Sequence, residues 1–142
     1  MSDNIKAFNV QLKRLAELVP ERALQIKRYI VLDLNAEIIL GNPVNTGYSR
    51  ANWRIANDAP DTAVTSKPAK GAVMTPQALN ISAVQGMTLQ APTYITNSVG
   101  YVKFLEEGTS KMAPRHFIKR AIQIVAVRMR EYIRRAEGEI PQ

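Results

Sequence analysis

Apolar residues recur every three or four positions at both ends of this chain, and at neither end does the pattern read as anything but helix. Ile5, Phe8, Leu12, Leu15 and Val19 form one stripe, with Ser2 or Asp3 placed to cap it. Pro20 lacks the amide donor that a helix interior needs. It therefore either opens a second helix or kinks one long helix. Beyond it the stripe resumes with Ala23, Ile26, Ile30, Leu34 and Ile38, and Gly41 with nearby Pro43 reads as a stop. At the other end Ile118, Ile122, Val125, Met129, Tyr132 and Ala136 predict an amphipathic helix of about five turns, closed by Gly138 and Pro141. Ile124 and Val127 lie off this stripe and widen its apolar surface.

The centre follows another rhythm. Six of the 7 Gly and six of the 8 Pro fall between residues 41 and 116. Ala51 to Ala56 and Thr93 to Val99 alternate or are rich in β-branched residues, which predicts two strands of one antiparallel sheet. Residues 58–74 are small, polar and marked by Pro and Gly, as a long mobile loop would be. Thr75-Pro76 reads as a cap and first position of a helix reaching Val84 or Gln85, before Gly86. The expected fold is α+β: N-terminal helices over 1–41, a β-rich centre over 42–112 with the 58–74 loop and short helices, and a C-terminal helix over 113–138. The helices would pack on a small antiparallel sheet in a single domain, 1–142.

A chain of 142 residues can bury a core without metal or disulfide support. It has no Cys, which removes disulfides, thiolate metal sites and a Cys nucleophile together. No apolar run approaches the ~20 residues that span a bilayer, and the amino terminus lacks the basic and apolar regions of a secretory signal. Synthesis in a cytoplasm, with no membrane partner, is the expectation.

The formal net charge is +7, and the excess grows along the chain. Residues 1–40 hold 6 basic and 5 acidic side chains, 41–102 hold 4 and 2, and 103–142 hold 9 and 5. Such an excess suits contact with phosphates, although a solvated helix face looks the same in sequence.

Catalytic chemistry has little to work with. His116 has no second His or Cys to share a metal or a triad. Glu106 and Glu107, as helix neighbours, differ by about 100° and do not form an acid–base pair. No glycine-rich phosphate loop occurs. The expectation is a protein that is not an enzyme and holds neither cofactor nor metal.

Three segments concentrate turn-forming, aromatic and charged residues. The first runs from Asn42 to Arg54, where Gly47 can take a positive φ and Trp53 reads as a core aromatic. The second runs from Thr96 to Ser110, a strand leading into a short helix closed by Gly108; the third, Met112 to Ile118, has Pro114 setting the start of the final helix.

At these residues the sequence resembles the tail-completion or neck proteins of long-tailed double-stranded DNA bacteriophages, also called minor tail or head–tail joining proteins. The family pattern is a proline, a valine and an Asp-Thr-Gly turn, then Arg, Ser and Trp; later a Tyr-Ala, a Glu-x-Gly-Thr, and an Ala-x-Pro-Phe before a C-terminal helix. The matches are Pro43, Val44, Thr46, Gly47, Arg50 and Trp53; then Asn97, Tyr101, Glu106, Gly108 and Thr109; then Ala113 and Phe117. They keep order and spacing over about residues 42–122. Asn45, Ser49, Val102 and His116 depart from the family's usual Asp, Leu, Ala and Pro.

The resemblance implies a virion structural protein, assembled in the host cytoplasm. It would form a hexameric ring that completes the tail and joins it to the head connector, adaptor or head-closure proteins on one side and tail tube proteins on the other. Subunit or partner contacts would then involve Arg50, Arg54, Glu106, Glu107, Thr109 and Ser110, with Arg50 or Arg54 paired to Glu106 within or between protomers. Gly47, Trp53, Tyr101, Gly108, Pro114 and Phe117 would be turn or core positions. Since such a ring encloses the genome's path, Arg128, Arg130, Arg134 and Arg135 could face DNA without reading sequence, or pair locally with Glu131 and Glu137. The alternative is a basic DNA-binding accessory protein acting as a monomer or dimer.

Overall fold

A computed structural model describes residues 3–43, 47–66 and 79–139. The expected turn residues Val44, Asn45 and Thr46, the Ser2 cap, the Thr75-Pro76 helix start, loop residues 67–74 and Pro141 lie outside the described residues. The architecture is α+β, with helices packed on a two-stranded antiparallel sheet.

Helix α1 (Asp3–Leu18) and helix α2 (Pro20–Gly41) are separated by Val19 alone. Pro20 occupies the first turn of α2, where its missing donor costs nothing. Helix α3 (Tyr48–Ala51) then leads into strand β1 (Arg54–Asn57). Strand β2 (Thr93–Thr96) follows helix α4 (Leu79–Gln85). The strands pair in the register Arg54 with Thr96, Ile55 with Ile95, Ala56 with Tyr94 and Asn57 with Thr93. The expected strand from Ala51 is therefore shorter. Gly47, at φ 81°, starts a helical turn that consumes residues 48–51 before the chain extends.

Helix α5 (Val102–Glu107), helix α6 (Phe117–Val127) and helix α7 (Met129–Glu139) complete the chain. The C-terminal amphipathic helix thus has two segments, broken at Arg128. The Arg128 carbonyl accepts amides from both Glu131 and Tyr132, so the chain turns tightly there before α7. The buried stripe is Phe117, Ala121, Val125, Tyr132 and Ala136, while Ile122 faces outward. Pro114 is exposed and precedes α6, whose cap position is His116.

Helix α2 is the spine. Its Ile26 and Tyr29 pack with Phe8 of α1 and with Val125, Tyr132 and Ala136 of α6 and α7. Ile38 joins Trp53, Val99, Val102, Phe117 and Ala121. Val31 joins Ile55, Val84 and Met87. Three sides of α2 are covered, which is why its apolar positions spread around the helix rather than along one stripe. Gly41 stays helical instead of forming a left-handed cap. A Cβ there would lie 3.0 Å from the Cβ of Phe117, so glycine allows α6 to approach the end of α2.

Candidate functional site

Beyond Gly41 the chain must leave the helix without stranding buried polar groups. Asn42, 2% exposed, does this work. Its amide bonds the Ile38 carbonyl at 2.9 Å. Its side-chain Nδ2 donates to the Pro43 carbonyl at 2.8 Å and to Ser49 Oγ at 2.9 Å, and its Oδ1 accepts the Trp53 indole N–H at 2.8 Å. Asn97 Nδ2 donates to the Ser49 carbonyl at 2.7 Å, bringing the second segment onto the first. Trp53 meets Phe117 of the third segment edge to face, with centroids 6.1 Å apart. The three segments singled out by sequence therefore meet in one buried cluster.

Two further asparagines hold the neighbouring backbone. Asn52 exchanges hydrogen bonds with Thr65, and Tyr48 donates to the Thr65 carbonyl. Asn80 Oδ1 accepts the Ile55 amide at 3.0 Å, and its Nδ2 donates to the Trp53 carbonyl at 2.8 Å. Thr96 Oγ1 donates to the Asp61 carbonyl. The described part of the expected mobile loop, residues 58–66, is thus pinned to the sheet. Asn42, Asn52 and Asn80 have no spacing signal in sequence, because a buried amide and a turn amide look alike there.

The second and third segments are joined by backbone. Gly108 has φ 77°, and a Cβ there would lie 2.6 Å from the Pro114 nitrogen. Arg115 and His116 amides bond the Leu105 and Glu106 carbonyls at 2.9 and 3.1 Å. The Glu106 carboxylate accepts the Ile118 amide at 2.8 Å and the Lys119 amide at 3.3 Å, capping α6 from α5. His116 takes a left-handed backbone at φ 49°, with Nδ1 4.0 Å from Glu106 Oε1.

The expected contact residues divide accordingly. Neither Arg50 nor Arg54 pairs with Glu106 within the protomer. Arg50 Nε instead donates to the Ile39 carbonyl at 2.8 Å, and buried Arg54 lies 3.6 Å from Asp61. Glu106 is committed to its cap. Glu107, Thr109 and Ser110 are exposed. Tyr101, expected as a turn or core position, is 43% exposed, and its backbone carbonyl accepts the Phe104 and Leu105 amides that start α5.

The arginines expected toward DNA are largely engaged. Arg128 pairs with Asp33 at 3.4 Å and Glu37 at 3.2 Å. Arg134 pairs with Glu131, and the Arg135 guanidinium lies 4.3 Å over the Tyr29 ring. Arg130 is exposed and has no carboxylate partner among the described residues. Tyr132, fully buried, donates its hydroxyl to Asp33 at 2.7 Å. Burial first, and Asp33 next, raise the Tyr132 hydroxyl above its ordinary value.

Among the described residues no three His, Asp or Glu side chains gather as a metal site, and no helix is long and apolar enough to cross a membrane. No family model, curated protein or solved structure matches the chain.

Proposed function

We propose that this chain is a structural protein of the neck or tail end of a long-tailed bacteriophage virion, acting by assembly into a ring. One observation supports the reading above the rest. The three motif segments, distant in sequence, pack through Asn42, Trp53, Asn97 and Phe117 into one unit. Residues that the resemblance groups by order alone are thereby given a common structural purpose. Around this unit, Glu107, Thr109 and Ser110 stay exposed and open to a neighbouring subunit. A head-to-tail ring needs two different contact surfaces on each copy. Its chemistry would be recognition rather than bond making, with the head connector side and the tail tube as partners.

The test is native mass, measured for the protein alone and after mixing with tail tubes or DNA-filled heads. A ring, or a protomer that oligomerises only on docking, is the expected result. A monomer or dimer that ignores both particles yet binds duplex DNA would replace this reading with the accessory DNA binder.

A further inference from the structure

The positive charge of this molecule is distributed differently from the way the C-terminal arginines suggest. Between residues 103 and 120 lie Lys103, Lys111, Arg115, Lys119 and Arg120, all exposed, against Glu106 and Glu107. None of these five cations pairs with a carboxylate among the described residues. Glu106 offers them little relief, because its carboxylate is held by the Ile118 and Lys119 amides and is 16% exposed. By contrast, Arg128 and Arg134 are neutralised by carboxylates and Arg135 is laid on an aromatic ring.

The five cations lie on elements that the fold joins: α5 bonds the 115–116 backbone and the first amides of α6. Arg115 is tied by its amide to Leu105 of α5, and the Arg120 guanidinium donates to the Arg115 carbonyl at 2.8 Å, which fixes its position without cancelling its charge. Lys111 sits in a turn closed by Thr109 and Met112, whose amide bonds the Thr109 carbonyl at 3.3 Å. Cations spread over α5, the 108–116 turn and the first turn of α6 suit a partner with many anionic groups rather than one carboxylate. Lys and Arg contacts to phosphate oxygens position a duplex without carrying sequence information.

We infer that this surface docks the phosphate backbone of duplex DNA, independently of whether the protein forms a ring. Binding of a short mixed-sequence duplex, followed by fluorescence anisotropy across salt concentrations, tests it. Each phosphate contact contributes about −0.9 to the slope of log affinity against log salt, so five contacts give about −4.5. The triple variant K111A/R115A/K119A should flatten that slope by about 3. The charge-matched control R14A/R130A/R134A, which removes exposed arginines of α1 and α7, should leave it unchanged. As a milder second variant, K111Q/K119Q should flatten it by about 2 while melting as the parent does. Equal flattening by patch and control variants would overturn the inference in favour of whole-molecule charge. So would a parent protein that ignores the duplex, including one that binds polyglutamate instead, which would mark an acidic protein surface as the partner. Native mass, read separately, reports on the ring.

Discussion

Gly108 and Pro114 approach so closely that only a residue without a Cβ fits, and the φ of 77° with ψ of 177° is itself open only to glycine. Gly108→Ala should therefore cost about 3 kcal/mol, read as a lower denaturant midpoint. At Trp53 the decisive atom is the indole N–H. Trp53→Phe keeps a ring against Phe117 but leaves the buried Asn42 Oδ1 without its donor, for a loss of about 1–3 kcal/mol. Tyr132 makes stability depend on alkaline pH. Because burial and Asp33 raise its hydroxyl above 10.0, the folded chain keeps a proton that the unfolded chain loses. Its contribution is complete below pH 10.0 and is lost as pH rises from there toward the folded-state value. Lys27 acts in the opposite sense. Burial lowers it from 10.5, so stability rises as pH passes from its folded value toward 10.5. In urea titrations at stepped pH, Tyr132→Phe should cost about 1–2 kcal/mol near neutrality and remove the tyrosine's share of the alkaline decline. Trp53 as a core aromatic and Gly47 as a positive-φ residue were legible from residue type and position. The asparagine network was not, since nothing in its spacing distinguishes an amide that bonds across the core from one that bonds its own turn.

Among elements, α6 depends on α5 for its start. Glu106 reaches the Ile118 and Lys119 amides from another helix, so Glu106→Ala should lower the melting temperature of the isolated protomer, with a cost of about 1 kcal/mol. A loss confined to oligomer formation, with the protomer's melt unchanged, would instead restore Glu106 to the contact role suggested by sequence. The helices themselves were legible because their apolar spacing is regular and Pro20 allowed a break where one occurs. So was most of the C-terminal stripe, since Val125, Tyr132 and Ala136 are buried and Ile118 and Met129 pack against the core. Ile122 is the exception: it is 42% exposed, while Phe117 and Ala121 fill the core, Phe117 against Trp53. The break at Arg128 was hidden. No Gly or Pro marks it, and its guanidinium is held by Asp33 and Glu37 on α2, a contact between residues about ninety positions apart.

For the whole molecule, assembly needs surface that the protomer's own fold leaves uncovered. Tyr101 at the start of α5 and Phe104 on it, 43% and 49% exposed, lie beside the C-terminal end of α2, and Leu18, 73% exposed, lies beside its N-terminal end. A helix of 22 residues separates these places by about 33 Å, far enough for two distinct contacts, as a head-to-tail ring requires. A stable interface takes about 800 Å2 from each partner, and large apolar side chains near its centre usually dominate the energy. Phe104→Ser removes such a side chain from the surface while Val102 and Leu105 keep α5 packed against Ile38 and Phe117. Under the ring reading, this variant should melt as the parent does, yet its native mass should fall from that of the ring to 15.8 kDa. If the mass is unaffected, this edge of α5 lies outside the subunit contact, and the search moves to Glu107, Thr109 and Ser110. If the mass and the melting temperature fall together, Phe104 supports the protomer rather than the ring. The two readouts separate these cases because oligomer formation draws on exposed area, whereas protomer stability draws on what α2 already buries.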